Sequence, residues 1–570
     1  MTTRTLPGNV FIAHGDITLL RSDAIAFSAS NMLACNGNLY SSFERCVPGF
    51  RPWYRSLRRN REEPFAVGTT FWMPLEPARR PQGVVVVVST GRSSDEDKAG
   101  TAVRRAIDRA VRELRTAGRR DRLLIALPGF RLGMGGDHYQ RLASAQSQVY
   151  AAKAALQDHE GVDVAFLTYT PALYRIFLEA RQRVNIAASS SEDEVSSLEQ
   201  AIADDSAVLF IGAGLSAGAG LPGWNHLIDR LKQQLGLEGA ADLDHLDVAQ
   251  WFRETRGKEQ LAQLLGEIYG GDHLPTLAHY LLLSLPVRHI LTTNYDQLLE
   301  RTLLALKRFP EPIVRQADVA RTGGPGVYVV KIHGDATHAS EIVLARDDYH
   351  AYFEQRPAMA LLLEGLLLNK TFFFVGYSLR DPNFQQIFSR IARMLRESRQ
   401  PAFATSFEAQ GAAGPFLRAQ WESKQLKLIT VPGVSPEQQN LEFLRFLDAL
   451  SERITMKAPA LVLAADMPPP PGVGRLRDLF QSVGQELESL CEDGAAEEDV
   501  GFLAQVLDFL VKHGWRPSLP GSLCSLYVEL AKYTGDLRQK RRLLVTALRQ
   551  ADTLADVQRL REILDQHDEP

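Results

Sequence analysis

The chain contains 570 residues, of which 45% are hydrophobic and 23% are charged. This composition is typical of globular proteins, and the length predicts about three or four domains. A net charge of −4 gives no overall attraction for nucleic acid or membranes, and no run approaches the roughly 20 apolar residues of a membrane span. The polar N-terminus predicts no signal peptide, so we expect a cytoplasmic protein with neither nucleic acid nor a membrane as partner.

Cysteine is scarce, which argues against a metal centre or a disulfide framework. The four cysteines are Cys35, Cys46, Cys491 and Cys524, and no two of them form a C-x-x-C pair. A zinc ribbon needs two such pairs, and a disulfide scaffold needs a denser set of cysteines. We therefore expect no bound metal and a reducing environment.

Two segments of biased composition divide the chain. Residues 187–200 are rich in serine and acidic side chains, and residues 466–474 include four consecutive prolines. Both compositions are typical of linkers. We therefore predict an N-terminal domain over residues 1–186, a central domain over 201–465 and a C-terminal domain over 475–570.

The N-terminal segment alternates strand and helix patterns, which predicts an α/β domain. Short apolar runs predict strands at Asp23–Ser28, Gly83–Ser89, Arg122–Leu127 and Val162–Thr168. Helical periodicity predicts helices at Ala99–Ala117 and Tyr139–Asp158.

The central segment has the same alternation. Strands are predicted at Val208–Ile211, Val287–Thr292, Val327–Ile332, Phe372–Val375 and Leu426–Val431. Runs such as YVVKI and TFFFV are almost continuously apolar, which suits a parallel sheet covered on both faces. We therefore predict a doubly wound, Rossmann-like α/β domain, with a helical insertion over Asp242–Leu285.

The C-terminal segment, residues 475–566, shows amphipathic helical spacing and almost no strand pattern. We predict an all-helical domain that forms homo-oligomers or binds a partner protein.

A glycine-rich loop follows the first central strand, with the sequence LFIGAGLSAGAGLPGW at Leu209–Trp224. Glycines at a strand-to-helix corner let backbone N–H groups approach a phosphate, and the helix N-terminus favours negative charge. The spacing is G-x-G-x-x-x-G rather than the G-x-G-x-x-G of dehydrogenases, and no Gly-Lys-Ser/Thr of a P-loop follows. The loop predicts nucleotide binding, with tight packing alone as the alternative.

Three further central strands end in polar clusters, which are TTNYD at Thr292–Asp296, HGD at His333–Asp335 and GYSLRD at Gly376–Asp381. Ligands bind outside the carboxyl ends of the strands in open parallel sheets. Each cluster alone is also explained by turns and helix caps. Four clusters at four strand ends favour a single functional site.

Taken together, GAGLSAGAGLPGW, TTNYD, KIHGD and GYSLRD resemble the sirtuin family over residues 204–450. The resemblance implies an NAD-binding domain in which Asn294 lies at the nicotinamide ribose, Asp296 lies at the nicotinamide pocket and His333 is the general base. It further implies cofactor contacts at Gly212, Ala213, Gly214, Ser216, Thr293, Gly376 and Ser378.

Two departures from deacetylating sirtuins favour a different reaction. The zinc ribbon is missing, and Gly220–Trp224 replaces the sequence GIPDFR. The chain is therefore more similar to the zinc-free sirtuin-like domains of bacterial antiphage systems, which degrade NAD. We expect an NAD⁺ glycohydrolase that forms ADP-ribose and nicotinamide, because water activation by Asn294 and His333 requires no metal.

The N-terminal segment resembles a macro domain over residues 8–181, a family that binds ADP-ribose and its derivatives. The resemblance implies that Asp16 and Ile17 lie near adenine and Asn31 near the distal ribose. It places the diphosphate at Gly133, Met134, Gly135 and Gly136. The glycine run expected after Asn31 is reduced, which favours binding over hydrolysis of the ligand.

The combination predicts an antiphage NADase, in the manner of Thoeris systems, gated by an ADP-ribose-like signal at the macro-like domain. One alternative is a sirtuin-type protein ADP-ribosyltransferase or deacylase with a macro reader. Another is a non-catalytic nucleotide-binding assembly module. A phage or co-operonic protein is a further candidate partner for the C-terminal helices. The trigger, the oligomer size and a cyclised product stay open.

Overall fold

The computed structural model describes most of the chain up to residue 457. The described residues are 6–35, 37–58, 63–76, 80–90, 97–119, 121–130, 138–184, 195–240, 243–323, 326–377, 402–407, 413–423 and 425–457. Residues 1–134 and 141–457 form one compact unit, and a second unit comprises residues 135–140 and 458–570. The predicted C-terminal helices therefore lie outside the described residues.

The N-terminal part folds into a six-stranded mixed sheet with the order β1-β6-β5-β2-β4-β3, in which only the β3–β4 pair is antiparallel. The strands are β1 Val10–His14, β2 Ala24–Ser30, β3 Thr70–Pro74, β4 Gly83–Thr90, β5 Leu123–Pro128 and β6 Val162–Thr168. The helices are α1 Gly37–Cys46, α2 Phe50–Arg58, α3 Asp97–Thr116, α4 His138–Asp158 and α5 Pro171–Arg183.

The four strands predicted in this part are confirmed to within a few residues, and so are the two long helices. The valines of β4 are buried on both faces of the sheet, as their continuous apolar run predicts. Two strands, β1 and β3, were not predicted. The antiparallel β3 lies at the sheet edge, with most of its residues half-buried, so it lacks the apolar run of an interior strand.

The central part folds into a seven-stranded sheet with the order β13-β12-β11-β7-β8-β10-β9, in which every pair is parallel. The strands are β7 Ala207–Ile211, β8 His289–Thr292, β9 Pro310–Ile313, β10 Val327–Lys331, β11 Thr371–Val375, β12 Ala402–Phe407 and β13 Leu426–Val431. This parallel sheet with helical crossovers confirms the predicted α/β class.

Helices connect these strands and cover the sheet. The first eight are α6 Ser196–Ala203, α7 Ala213–Ala217, α8 Trp224–Leu235, α9 His245–Arg256, α10 Lys258–Tyr269, α11 Leu277–Leu283, α12 Leu298–Ala305 and α13 Arg346–Gln355. They are followed by α14 Pro357–Asn369, α15 Ala413–Glu422 and α16 Pro436–Lys457. The helical insertion predicted between the first two central strands is confirmed by α9, α10 and α11.

The two sheets share one continuous apolar core, in which β1 and α5 of the N-terminal part pack against α11 and α16 of the central part. Arg181 of α5 is buried at this contact, and its guanidinium donates to the carboxylates of Asp448 and Glu452 on α16. The hydroxyls of Tyr174 and Ser451 are 2.9 Å apart in the same contact. Buried charges of this kind are tolerated only with their partners in place.

No described helix combines the length and the apolar character needed to cross a lipid bilayer. Among the described residues, no three His, Cys, Asp or Glu side chains are grouped in a way that could hold a metal ion.

Candidate functional site

Four neighbouring strands of the central sheet end side by side. Their last paired residues form one row across β11, β7, β8 and β10, namely Val375, Ile211, Thr292 and Lys331. The polar clusters predicted from the sequence follow this row directly. The structure therefore brings the glycine loop, TTNYD, KIHGD and the start of GYSLRD to one edge of the sheet, as expected for a parallel α/β site.

The glycine loop is packed backbone to backbone against the end of β11. The N–H of Gly212 donates to the Val375 carbonyl at 2.9 Å, and the N–H of Gly214 donates to the Gly376 carbonyl at 2.8 Å. A Cβ on Gly214 would lie 2.7 Å from that same oxygen, which leaves no room for a side chain. The N–H groups of Gly212 and Gly214 are therefore used in backbone hydrogen bonds. Ala213, between them, is exposed.

Asn294 is held against the glycine loop by its amide group. Its Nδ2 donates to the Gly212 carbonyl at 3.2 Å and to the Ser216 hydroxyl at 3.1 Å, and its own N–H donates to Thr292 Oγ1 at 3.0 Å. The side chain is only 6% exposed, yet its Oδ1 has no hydrogen-bond partner among the described residues. A buried acceptor without a partner costs free energy, so a ligand group is expected to satisfy it.

Asp296 is buried, and one of its carboxylate oxygens is used in a hydrogen bond to the backbone. Its Oδ1 accepts the N–H of Leu298 at 3.0 Å, which caps the start of α12. Its backbone carbonyl accepts a hydrogen bond from the buried ammonium of Lys331. One carboxylate oxygen thus has a structural role, and the carboxylate also faces the electrostatic field of Lys331.

Lys331 lies between two carboxylates behind the sheet edge. Its Nζ is 3.0 Å from Asp335 Oδ2 and 3.2 Å from Glu300 Oε1, and the lysine is completely buried. Burial opposes the charge of Lys331, but the neighbouring Glu300 and Asp335 outweigh it and raise the lysine pKa. This charged group was not predicted as part of the site. Lys331 contacts both the TTNYD segment, through the Asp296 carbonyl, and the HGD segment, through the Asp335 carboxylate.

His333 is buried and uncharged. Burial lowers its pKa to about 3, and the positive charge of Arg356 contributes to the same shift. Tyr349 covers the ring edge to face, with ring centroids 5.2 Å apart, and the Tyr349 hydroxyl is 3.4 Å from His333 Nδ1. A neutral imidazole keeps a nitrogen lone pair that can accept a proton.

Thr293, after β8, and Tyr377, after β11, are in contact across the end of β7, which lies between these two strands. The Thr293 hydroxyl is 2.9 Å from the Tyr377 hydroxyl, and the Tyr377 ring packs against Phe210 with centroids 5.3 Å apart. Tyr377 was not predicted as a site residue, although its position inside GYSLRD was a signal that could have identified it. Ser378 lies outside the described residues, and the role predicted for it stays a prediction.

The residues predicted for an ADP-ribose-like ligand lie on a different sheet. Asp16 follows β1, and its Oδ1 accepts from the Thr18 N–H at 2.9 Å and from the Thr18 hydroxyl at 2.7 Å, while its Oδ2 accepts from Ser42 at 3.1 Å. Ile17 is completely buried, and Asn31 is half-buried after β2. Gly133, Met134, Gly135 and Gly136 lie outside the described residues.

A cavity of about 1070 Å³ opens between the two sheets next to the glycine loop. Gly214, Gly376 and Tyr377 line it on the central side, and Arg21 and Arg80 line it on the N-terminal side. Its size is at the upper end of the range for small-molecule sites. The predicted cofactor loop therefore faces a space that can hold a nucleotide.

The parallel sheet brings the glycine loop and the buried Asn294 to one edge, and the glycine loop borders a cavity large enough for a nucleotide. Residues 288–429 match the family model described as SIR2-like domain, which confirms the sirtuin resemblance for the three motifs within that range, TTNYD, KIHGD and GYSLRD.

The chain is also similar to defence proteins. It is 34% identical over 205 residues to an NAD(+) hydrolase ThsA of Cytobacillus dafuensis, and the match covers 36% of this chain and 42% of the relative. The same protein of Enterococcus faecium is 34% identical over 36% of this chain and 44% of its own length. Defense-associated sirtuin 2 of Bacillus subtilis is 27% identical over 34% of this chain and 20% of that protein.

The chain thus spans less than half the length of these curated relatives. Among solved structures, the Oceanobacillus iheyensis macrodomain with ADP is 17% identical, covers 32% of this chain and 95% of its own length, and has a TM-score of 0.27. A TM-score at that level supports no conclusion about the ligand of this chain.

Proposed function

We propose that this chain hydrolyses NAD⁺ to ADP-ribose and nicotinamide as an antiphage effector in the cytoplasm. The observation that carries the proposal is the buried Oδ1 of Asn294, which is held beside the glycine loop without a partner. The relatives named NAD(+) hydrolase support the same chemistry. NAD⁺ fits the site because a ribose hydroxyl or a water can donate to this oxygen.

The reaction breaks the bond between ribose C1′ and the pyridinium nitrogen. The electron pair of that bond goes to the ring, so nicotinamide leaves as a neutral molecule, and the ribose becomes oxocarbenium-like. Asn294 Oδ1 orients the ribose or the attacking water by accepting a hydrogen bond. The water oxygen bonds to C1′, and its proton passes to the neutral imidazole of His333 and then to solvent.

Asp296 has a positioning role in this proposal. Its carboxylate accepts the Leu298 N–H at the start of α12, and its backbone carbonyl accepts a hydrogen bond from the buried Lys331, so the position of the residue is well defined. A carboxylate held in this way can receive the nicotinamide amide group. Because protein groups supply the positioning and the polar environment, the proposed route needs no metal.

We further propose that an ADP-ribose-like ligand at the N-terminal domain gates this reaction. The Asp16 N–H donates to the Ala305 carbonyl at 3.1 Å, and the Tyr280 hydroxyl donates to the Asp16 carbonyl at 2.8 Å. Ala305 ends α12, and Asp296 caps the beginning of the same helix. A ligand that moves the Asp16 loop would therefore move the helix that supports Asp296.

The direct test incubates the purified full chain with NAD⁺ and separates the products. We expect free nicotinamide and ADP-ribose, with turnover changed by added ADP-ribose or related molecules. Label from NAD⁺ that becomes attached to protein would instead favour an ADP-ribosyltransferase. Full turnover by an Asn294→Ala, His333→Ala double variant would contradict the assigned site.

The assembly state and protein partners form the last part of the proposal. We expect a homo-oligomer, and we expect the C-terminal segment to contact either other copies or a phage or co-operonic protein. Light scattering of the full chain, with and without residues 475–570, measures the first expectation. An unchanged particle mass after truncation would contradict a role of this segment in oligomerisation.

A further inference from the structure

Arg21 brings a positive charge from the N-terminal domain to the glycine loop of the central domain. It precedes β2, and its backbone N–H donates to the Pro275 carbonyl at 2.8 Å, which fixes the residue on the central domain. A Cβ built on Gly220 would lie 3.5 Å from Arg21 Nη2. The guanidinium therefore lies directly beside the glycine loop.

Arg21 shares its neighbouring carboxylate, Asp23, with two other arginines. The nearby carboxylate of Asp23 is already 3.2 Å from both Arg80 and Arg119, and its Oδ2 accepts the Leu124 N–H at 2.8 Å. The Arg21 guanidinium has neither a hydrogen bond nor an ion pair with the described residues. Partial burial, followed by repulsion from Arg80, lowers the pKa of Arg21. An anion at this position would relieve both effects.

The cavity of about 1070 Å³ connects Arg21 with the predicted cofactor loop, because Arg21, Gly214 and Gly376 all line it. The other three arginines in its wall are engaged elsewhere. Arg80 forms a salt bridge with Asp23. Arg122 forms a salt bridge with Asp163, and Arg418 donates to the Thr430 hydroxyl. Arg21 is therefore the cation in this part of the wall that is best placed to bind a ligand.

Two amides of the glycine loop are not available to bind a diphosphate. The N–H groups of Gly212 and Gly214 both donate to β11 and the residue after it, so they cannot also bind phosphate oxygens in this arrangement. A diphosphate carries two negative charges and needs charged or backbone donors nearby. An arginine fork beside the loop supplies such donors.

We propose that Arg21 binds the diphosphate of NAD⁺ in this cavity, so that the substrate site is built from both domains. The inference rests on the proposed NAD⁺ hydrolysis and adds a binding residue outside the SIR2-like region. It also explains how the N-terminal domain could influence turnover, since a shift of that domain would move Arg21 away from the substrate.

The test measures NAD⁺ binding by calorimetry on the full chain in an Asn294→Ala background, where the ligand stays intact. Adding Arg21→Ala is expected to weaken binding by about 10- to 100-fold, the usual effect of losing a charged hydrogen bond. Arg21→Lys keeps the charge but loses the fork, so it is expected to restore part of the affinity. Arg55→Ala, on the exposed face of α2, is the matched control and is expected to leave the affinity unchanged.

A second readout uses turnover by the chain with Asn294 intact. Arg21→Ala is expected to raise KM for NAD⁺ with little change in kcat, and to reduce the dependence of KM on salt. Equal affinity and equal KM with and without Arg21 would overturn this inference while leaving the proposed hydrolysis in place. Absence of nicotinamide release from NAD⁺ by the chain with Asn294 and Arg21 intact would instead contradict the proposed function itself.

Discussion

The two sheets differ in how their strand-end residues are arranged. In the central sheet, the predicted site residues follow β11, β7, β8 and β10, which are consecutive neighbours, and Asn294 contacts both Gly212 and Ser216. In the N-terminal sheet, Asp16 and Asn31 follow β1 and β2, which β6 and β5 separate. At about 4.8 Å per strand, β1 and β2 are roughly 14 Å apart across the sheet.

The two edges also differ in whether their buried polar atoms have hydrogen-bond partners. Asn294 keeps a buried acceptor without a partner, whereas the carboxylate of Asp16 is satisfied by Thr18 and Ser42. The backbone of Asp16 is likewise bonded to the central domain. The unsatisfied buried acceptor therefore lies at the edge of the central sheet, whereas the Asp16 loop is bonded to the central domain.

The largest expected effect is on NAD⁺ turnover, and it distinguishes Asn294 from Asn31, which both follow strands. Asn294→Ala is expected to lower NAD⁺ turnover by about 1000-fold or more, because the oriented acceptor in the site is lost. Asn31→Ala is expected to leave turnover without added ligand within about twofold. Initial rates of nicotinamide release measure both variants. Similar losses in the two variants would break the comparison between the sheets.

The next effect concerns close packing of the glycine loop. Gly214→Ala is expected to destabilise the chain by about 1–3 kcal/mol, because its Cβ would lie 2.7 Å from the Gly376 carbonyl. Gly223→Ala is the matched control in the same loop, since no atom lies within 4 Å of its Cβ. Thermal unfolding compares the two variants, and equal melting temperatures would contradict the packing described for Gly214.

A smaller effect is expected at the contact between domains. Gly15 has a φ of +131°, and a Cβ there would lie 2.7 Å from the Tyr280 ring, so Gly15→Ala should displace the Asp16 loop from α11 and α12. We expect a several-fold loss of any response of NAD⁺ turnover to ADP-ribose. Gly118→Ala is the control, because its φ is also positive but its Cβ would meet no atom within 4 Å. An unchanged response in Gly15→Ala would exclude this route of coupling.

The smallest expected effect is a nearly flat pH profile. Burial lowers the pKa of His333 to about 3, so the ring stays neutral and able to accept a proton from pH 6 to pH 8. We expect kcat/KM to vary less than about twofold in this range, where a histidine of ordinary pKa would give a clear acid limb. A break near pH 6.5 in the rate profile would show that His333 is not the base or is not buried.

The lowered pKa of His333 also makes the free energy of unfolding depend on pH. His333 has a folded pKa of about 3 and an unfolded pKa near 6.5, so the unfolded state binds the proton first. Its contribution to stability is present above pH 6.5 and is lost as the pH falls toward 3, by about 1.4 kcal/mol per pH unit. His333→Gln is expected to make unfolding less dependent on pH over this window.

Much of the sheet architecture was predictable because interior strands carry continuous apolar runs. TFFFV of β11 and the valines of β4 are buried on both faces, and both strands were predicted. The strand β9 was not predicted, because its sequence PEPI contains two prolines and lies at the sheet edge. The strand β12 was also missed, because its second half, TSF, is polar and partly exposed.

The candidate site was predictable only in part. Polar residues after apolar strands are a local pattern, and the resemblance of the motifs to sirtuins led to Asn294 and His333 as candidates. The unsatisfied Oδ1 of Asn294 and the proximity of Arg21 to Gly220 depend on contacts between distant segments, which local spacing does not contain. For the same reason, the sequence predicted phosphate binding by Gly212 and Gly214 but not that β11 already occupies their amides.

The buried Arg181 has a practical consequence for exchanging parts between related proteins. Its guanidinium is in the N-terminal half, whereas its two carboxylate partners, Asp448 and Glu452, are on the last described helix, α16. A chimaera that imports only a foreign N-terminal half would therefore leave two carboxylates without their cation in the core. Sensor domains of this architecture should be exchanged together with their matching α16, as a pair of segments that are distant in the chain.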